Sequence, residues 1–201
     1  MVAVRRELMK AAASLSAVLL YFSAPAIAEE LYTTGPAVIC IKENISPLGT
    51  IAVATPVDVL DKKDGYTKVK VNGWVLKDYP AYVFKAPGVR IEYGVFEAKG
   101  AVASAYKDAE DAAGNQWMKV SVMGWVADKH LTGDIGSLWM KAQDRMMRIC
   151  SACHPVPEVR HFTANQWASQ LPVRGAMVGH SRAGNNALMF KYIQEHAKPM
   201  K

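Results

Sequence analysis

Residues 68–75 read KVKVNGWV, and residues 119–126 read KVSVMGWV, so one stretch of sequence returns 51 residues later. A second match has the same offset, with GTIAVA at 49–54 and GAVASA at 100–105. Apolar and polar residues alternate through the longer matches, which is the pattern of half-buried β-strands. The sequence therefore predicts an internal repeat whose copies are built from short strands.

Each copy of the repeat is long enough for a small β-barrel of its own. A strand, a charged turn, a W/Y-x-K-V strand and a closing GWV follow one another in both copies, and this plan resembles bacterial SH3-like domains over residues 39–85 and 90–133. Some members of that family bind peptidoglycan or partner peptides through aromatic side chains. We expect two SH3-like domains, at 29–86 and 87–134.

Three residues of the repeat region invite a functional interpretation. Trp74 and Trp125 could bind a cell-wall or protein ligand, but large aromatic residues are more often buried, so we expect them to close the barrel cores. Cys40 lies in the apolar run AVICI and is expected to be a buried free thiol.

The start of the chain has the layout of an export signal. Basic residues come first, an apolar run spans residues 11–24, and residues 25–28 read PAIA before two glutamates. This three-part pattern predicts a signal peptide that is cleaved after Ala28, and hence a periplasmic protein. The alternative is that residues 1–28 stay attached as a membrane anchor.

Charge and composition narrow the classes of partner. The 201 residues include 24 basic and 18 acidic side chains, and three cysteines are too few for a disulfide framework. Residues 29–134 have a net charge of −2 and residues 135–201 a net charge of +6. There is no arginine-rich run, so we expect no nucleic-acid partner.

Residues 150–154 read CSACH, which is the attachment motif of a c-type haem. In such motifs the two cysteines bind the haem through thioether bonds and the histidine is the proximal iron ligand. We assign covalent attachment of one haem c to Cys150 and Cys153, and proximal ligation to His154. A zinc site would need a second pair of ligands, and the chain has no other cysteine pair.

Two helices are predicted around this motif. Leu138, Ala142, Met146 and Ile149 recur at helical spacing over residues 137–149, with Ser137 as a candidate N-cap. A second helix is predicted over 186–197. A leading helix, a ligand loop and a closing helix are similar to the plan of class I-like cytochromes c. The predicted fold class is thus two SH3-like barrels followed by a small helical cytochrome c domain at 135–201.

The distal iron ligand is open to several candidates, namely Met177, His180, Met189, His196 and Met200. Met177 follows Pro172 and lies between Gly175 and Gly179, so we expect a loop there that turns its thioether toward the iron. Met189 is expected to pack in a helix instead. A vacant sixth position would favour a haem sensor or a peroxidase-like protein.

A closer resemblance involves residues 150–154, 161–167 (HFTANQW), 175–177 (GAM) and 192–198 (YIQEHAK). Together they resemble the C-terminal monohaem domain of pentahaem cytochromes that serve trimethylamine-N-oxide reductases. The resemblance implies ligation by His154 and Met177, and electron delivery to a periplasmic molybdopterin reductase. The tetrahaem module that takes electrons from quinol in that family has no counterpart here, so the donor is left open.

The sequence thus favours an electron carrier and not an enzyme, because no catalytic constellation stands out. A cell-wall or partner-binding module is the other alternative. Basic side chains around the haem are expected to steer an acidic partner. Those considered are Lys141, Arg145, Arg148, Arg160, Arg174, Arg182, Lys191, Lys198 and Lys201.

Overall fold

The computed structural model of the protein describes residues 29–97, 107–151, 155–177 and 186–200, with the backbone alone at 107 and 172–177. The predicted signal peptide lies outside these residues. The strands are β1 (Glu30–Thr33), β2 (Ala37–Lys42), β3 (Ile45–Ile51), β4 (Pro56–Lys63), β5 (Tyr66–Leu76), β6 (Tyr79–Ala86), β7 (Val89–Phe96), β8 (Lys107–Glu110), β9 (Gln116–Ala127) and β10 (Leu131–Thr132). The helices are α1 (Ile135–Cys150), α2 (Ala164–Met177) and α3 (Ala187–Glu195).

The ten strands belong to one antiparallel sheet, and six of them close a barrel in the order β5-β6-β7-β3-β2-β9. The closing contact is the long β5–β9 pair, which runs from Tyr66 opposite Ala127 to Leu76 opposite Trp117. Strands β4, β1 and β10 extend the sheet from β5, and β8 flanks β9. Closure pairs the edges that an open sheet would leave exposed.

Inward-facing side chains at alternate positions of the strands fill the interior of this barrel. Every second residue of β5 is buried, and the fully buried residues include Val69, Val71 and Val75. Val120 and Val122 contribute the same kind of side chain from β9. Because successive residues in a strand face opposite sides of a sheet, this arrangement turns the intervening side chains outward.

The two tryptophans of the repeat are therefore not core residues. Trp74 and Trp125 occupy the outward-facing positions of β5 and β9, and both are only half-buried. The expectation that they close barrel cores is wrong, because small and β-branched residues take the inward positions. Cys40, in contrast, is buried as expected and has a free thiol, with a pKa raised by burial.

The repeat appears in the fold as an internal pseudo-twofold symmetry. Strands β2 to β5 form one unit and β6 to β9 form the other, and the units meet at the β5–β9 and β3–β7 pairs. Val71 lies opposite Val122 in the first of these pairs, and Thr50 lies opposite Val95 in the second. Val71 and Val122 are equivalent positions of the repeat, so a local twofold axis passes through the β5–β9 pair.

The predicted fold class of tandem SH3-like barrels is wrong. The long strands of the two copies pair with each other along their whole length, so neither copy closes a barrel alone. Their buried residues form one continuous core, which includes Val69 and Val71 from the first copy and Val120 and Val122 from the second. The local pattern specified strands, but it did not specify which strands pair.

The helical segment packs on this barrel instead of forming a separate class I-like domain, so that part of the predicted fold class is also wrong. Ala164 of α2 belongs to the barrel core, and Leu138 of α1 packs with Val53 and Ala54. The helices α1 and α3 are present close to their predicted limits. Helix α2 replaces the predicted loop as far as Met177.

A second core holds the helices together. It is centred on Ala142, Trp167, Met189, Phe190 and Ile193, all of which are buried. No helix among the described residues has the length and the apolar character needed to cross a membrane.

Candidate haem site

Helix α1 positions the first cysteine of the attachment motif. Its N-cap is Asp134, whose Oδ1 accepts a hydrogen bond from the Ser137 backbone N–H at 2.9 Å, so Ser137 is not the cap. Leu138 and Ala142 fix the helix against the barrel and α3. The helix ends at Cys150, and the chain leaves the described residues two positions later.

Cys150 is the part of the candidate site that the structure shows in full. It is half-buried and its thiol is free, and burial raises the pKa of that thiol. Cys153 and His154 lie outside the described residues, as does the side chain of Met177. The assignments of these three residues stay predictions. The backbone places Met177 at the last position of α2.

Half-buried apolar side chains lie on both sides of the attachment motif in the sequence. Met146 and Ile149 come from α1, and Val159, Phe162 and Leu171 come from the segment that follows the motif. All five pack against the helical core without being fully buried themselves. This combination of a helix-borne thiol and partly exposed apolar side chains fits a covalently attached haem, whose macrocycle is largely apolar.

The segment after the motif is rigidly built around Trp167. This residue is buried, and its indole Nε1 donates a hydrogen bond to the Val159 carbonyl at 2.7 Å. Phe162 packs edge-on against the indole, with 4.9 Å between ring centroids. The Phe162 carbonyl also accepts a hydrogen bond from the Lys198 backbone N–H, which ties the segment to the end of the chain.

The side-chain amides of Asn165 and Gln166 form hydrogen bonds with backbone groups. Asn165 accepts a hydrogen bond from the Arg90 N–H at 2.7 Å and donates one to the Gly88 carbonyl at 2.6 Å, so it fixes α2 to β7. Gln166 accepts one from the Thr163 N–H, which is the pattern of a capping box.

Three alternative distal ligands have described side chains. Met189 is buried in the helical core, as we expected for a packing residue. His196 stacks against Tyr192 and Trp139, and Trp139 precedes Cys150 by eleven residues, or about 16 Å along a helix. Met200, the third, is exposed and lies beyond α3. The positions of Met189 and His196 do not favour iron ligation near Cys150. Among the described residues, no three His, Cys, Asp or Glu side chains converge on a metal site.

The basic side chains do not all lie on the surface. Lys141, Arg148, Arg160 and Lys198 are exposed, and Arg148 forms an ion pair with Asp144. Arg145 donates hydrogen bonds to the Asn186 side chain.

Lys191 is buried and belongs to the interior. Its Nζ donates to the Glu92 carbonyl at 2.6 Å and lies 4.7 Å from the centroid of the Tyr93 ring. Sequence reasoning grouped Lys191 with the surface cations and so missed its burial. Its position between the large apolar residues Phe190 and Tyr192 on a short helix was the one sign of burial in the sequence.

Comparison with known proteins now gives the family. The family model described as the TorC third cytochrome c domain matches residues 26–131, which is more than half of the chain. The chain belongs to this family. The match covers the whole barrel and ends before Cys150, so the family is recognised by the duplicated barrel and independently of the attachment motif.

Individual members of the TorC family are distant relatives. The chain is 26% identical over 156 residues to the cytochrome c-type protein TorC of Escherichia coli (strain K12), a match that covers 74% of this chain and 39% of that protein. It is 28% identical over 133 residues to the cytochrome c-type protein TorY of Haemophilus influenzae, which covers 65% and 36% respectively. The chain thus spans about two fifths of the length of these relatives. No solved structure matches it.

Proposed function

We propose that this TorC-family protein is a periplasmic cytochrome with one covalently bound haem c. It carries single electrons to a molybdopterin reductase that acts on N-oxides or S-oxides, and it catalyses no reaction of its own. The observation that carries the proposal is the C-x-x-C-H motif, whose first cysteine lies half-buried at the end of α1 with a free thiol. The signal-like segment at 1–28 supports export to the compartment where such haems are attached.

Each named residue has a distinct part in this proposal. Cys150 and Cys153 hold the haem as thioethers, and His154 and Met177 are its axial ligands. When bound, the haem supplies a one-electron ferric–ferrous couple whose potential a thioether ligand raises. Met146, Ile149 and Phe162 are partly buried apolar residues close to the motif in the sequence. Against a bound haem they would exclude water, which would lower the local dielectric constant and disfavour the extra charge of the ferric state.

Exposed basic side chains favour an acidic partner. Lys141, Arg160 and Lys198 form no ion pair with an acidic side chain among the described residues, and they lie on the segment with net charge +6. Such charges orient a transient electron-transfer encounter and raise its rate, with strong salt dependence. The family likeness supports a reductase as the acceptor.

The test is to express the full chain in a host that attaches c-type haem in its periplasm. We expect one haem per chain by mass spectrometry, a low-spin spectrum when reduced, and oxidation of the reduced protein by an N-oxide reductase with its substrate. Cys150→Ser should abolish covalent attachment, whereas Cys40→Ser is the matched control and should keep it. Export without haem would overturn the proposal. A high-spin ferric spectrum that shifts with cyanide or peroxide would favour a sensor or peroxidase-like protein instead.

A further inference from the structure

An open groove lies where the barrel meets the helices. It has a volume of about 350 Å³, and its lining includes Tyr32, Tyr93, Trp139 and His196. A neighbouring depression of about 330 Å³ shares Tyr93 with it and continues to Trp74. The size is that of a site for a small molecule.

The aromatic rings of this groove are held in place. His196 packs edge-on against Trp139 at 5.3 Å between ring centroids, and its Nδ1 lies 2.9 Å from the Tyr192 carbonyl oxygen. Tyr93 is buried and lies beside the Lys191 ammonium, which is 4.7 Å from its ring centroid. A ring in this neighbourhood therefore already interacts with one organic cation.

Carboxylates add negative charge to the same groove. Glu195 is neutralised by its ion pair with Lys85. Glu30 accepts a hydrogen bond from the Tyr32 hydroxyl and forms no ion pair within the part of the chain that the structure describes. Burial raises the pKa of Tyr93, and the charges of Glu195 and Glu30 raise it further, so both carboxylates act on the groove.

We propose that this groove binds a small organic cation of the alkylammonium class. Electron-rich ring faces and an uncompensated carboxylate attract such a cation together, because the rings contact its alkyl groups while the carboxylate supplies the counter-charge. Glu30 is the counter-ion, and Tyr32 and Trp139, which are only partly buried, supply ring surface above the buried Tyr93. An anion would meet the Glu30 charge, and Lys85 is already neutralised. The inference does not depend on the proposed electron transfer.

The experiment compares a cation with its neutral carbon isostere on the full-length, haem-loaded protein. Choline and 3,3-dimethylbutan-1-ol have nearly the same shape and differ in the charge of the quaternary centre. Calorimetric titration should show choline binding at least about tenfold tighter than the alcohol. Glu30→Gln should weaken the binding of choline about fivefold and leave the binding of the alcohol unchanged. Glu29→Gln is the matched control, because Glu29 pairs with Lys62 outside the groove.

Three outcomes would overturn the inference. Equal affinities for choline and for the neutral alcohol would mean that the groove binds alkyl groups and does not recognise the positive charge. An equal loss in the Glu29 and Glu30 variants would mean general attraction to an acidic surface. No binding of choline or of the series from methylammonium to tetramethylammonium at 50 mM (roughly the weakest useful affinity) would exclude the site. Tyr32→Leu gives a second check: it removes one ring and should weaken the binding of choline. Its free energy of unfolding is measured alongside, because Tyr32 packs against the Val53, Ala54 and Leu138 cluster.

Discussion

Val71 and Val122 lie directly opposite each other in the β5–β9 pair, although each holds the same position in its own copy of the repeat. A residue that faces its own repeat equivalent marks a twofold axis. On the opposite side of the barrel, Thr50 lies opposite Val95, which is not its repeat equivalent, because at the offset of 51 residues Thr50 corresponds to Ala101. The duplication therefore yields one closed barrel whose two halves complete each other, and not two independent modules.

The symmetry predicts matching sensitivity at two glycines. A Cβ on Gly73 would lie 2.8 Å from the Phe84 carbonyl oxygen, and a Cβ on Gly124 would lie 2.6 Å from the Cys40 carbonyl oxygen. Neither backbone can move without breaking its strand pair, so Gly73→Ala and Gly124→Ala should each lower the free energy of unfolding by about 1–3 kcal/mol. Urea denaturation measures this.

Gly35→Ala is the control for these variants, because nothing lies within 4 Å of the added methyl group. It should leave stability nearly unchanged. Loss at only one of the two repeat glycines would contradict the equivalence of the two halves.

The strands were predictable from the sequence, whereas their partners were not. Alternation and the Asp64–Gly65 turn identify the hairpin that becomes β4 and β5, since these signals are local. Pairing of β5 with β9 joins residues about 50 positions apart, and no local pattern distinguishes it from closure within each copy. The same ambiguity led us to assign Trp74 to the interior.

In the helical segment the sequence identified α1 and α3 but missed α2. The N-terminal half of α2 is short of apolar residues, and Pro172 and Gly175 within its second half are residues that usually end helices. Contacts with the barrel stabilise it instead, through buried Ala164 and the Asn165 amide. The buried position of Lys191 was missed because lysine is almost never fully buried without a partner.

Lys191 should make stability depend on alkaline pH. Burial lowers the pKa of Lys191 to about 8 in the folded protein. The negative charges of Glu195 and Glu92 raise this pKa and the positive charge of Lys85 lowers it, but burial is the largest cause. The unfolded chain keeps this proton up to a pKa of about 10.4, so it binds more protons than the folded chain above pH 8. The contribution of Lys191 to stability therefore rises with pH between about 8 and 10.

The measurement is the free energy of unfolding of the wild type and of Lys191→Met at several values between pH 7 and 9.5. Relative to the variant, the wild type should gain at most about 1.4 kcal/mol per pH unit above pH 8. Thiol and tyrosine titrations are common to both proteins and cancel in the difference. Lys198→Met, at an exposed position, should show no such slope. If the difference in free energy of unfolding between the wild type and Lys191→Met does not change with pH, the burial of Lys191 as a cation is contradicted.

Asp111 should cause a loss of stability in acid. Hydrogen bonds from the Asn115 side chain and the Trp117 indole lower its pKa to about 2, with further bonds from the Asn115 and Ala113 backbone. The folded chain thus releases this proton more readily than the unfolded one, and the benefit disappears as pH falls from about 4 to 2. Asp111→Asn should flatten the acid dependence of Tm over that range. Asp78→Asn, in a different turn, should retain it.

Asn165 should control how firmly α2 is held to the barrel. Asn165→Ala removes its bond to Arg90 in β7 and its bond to Gly88 just before β7. The Arg90 N–H and the Gly88 carbonyl are then left to find water, at a cost of about 1–3 kcal/mol. Hydrogen exchange should accelerate in α2 more than in β5. Ser169→Ala, on the exposed side of the same helix, is the comparison and should change neither. Uniform acceleration throughout the chain would mean global destabilisation and not a local attachment.

The distal ligand can be assigned by comparing three variants of the haem-loaded protein. If Met177 ligates the iron, Met177→Ala should produce a high-spin ferric spectrum, remove the methionine-to-iron charge-transfer band and lower the midpoint potential, since a thioether favours the ferrous state. His180→Ala and Met200→Ala should leave all three properties unchanged.

Met177 ends α2, and that helix is anchored on the barrel at Ala164 and Asn165, so the thioether would have a fixed starting position. Asn165→Ala should then weaken the charge-transfer band without abolishing it. A low-spin spectrum that survives Met177→Ala but not His180→Ala would assign bis-histidine ligation and a lower potential.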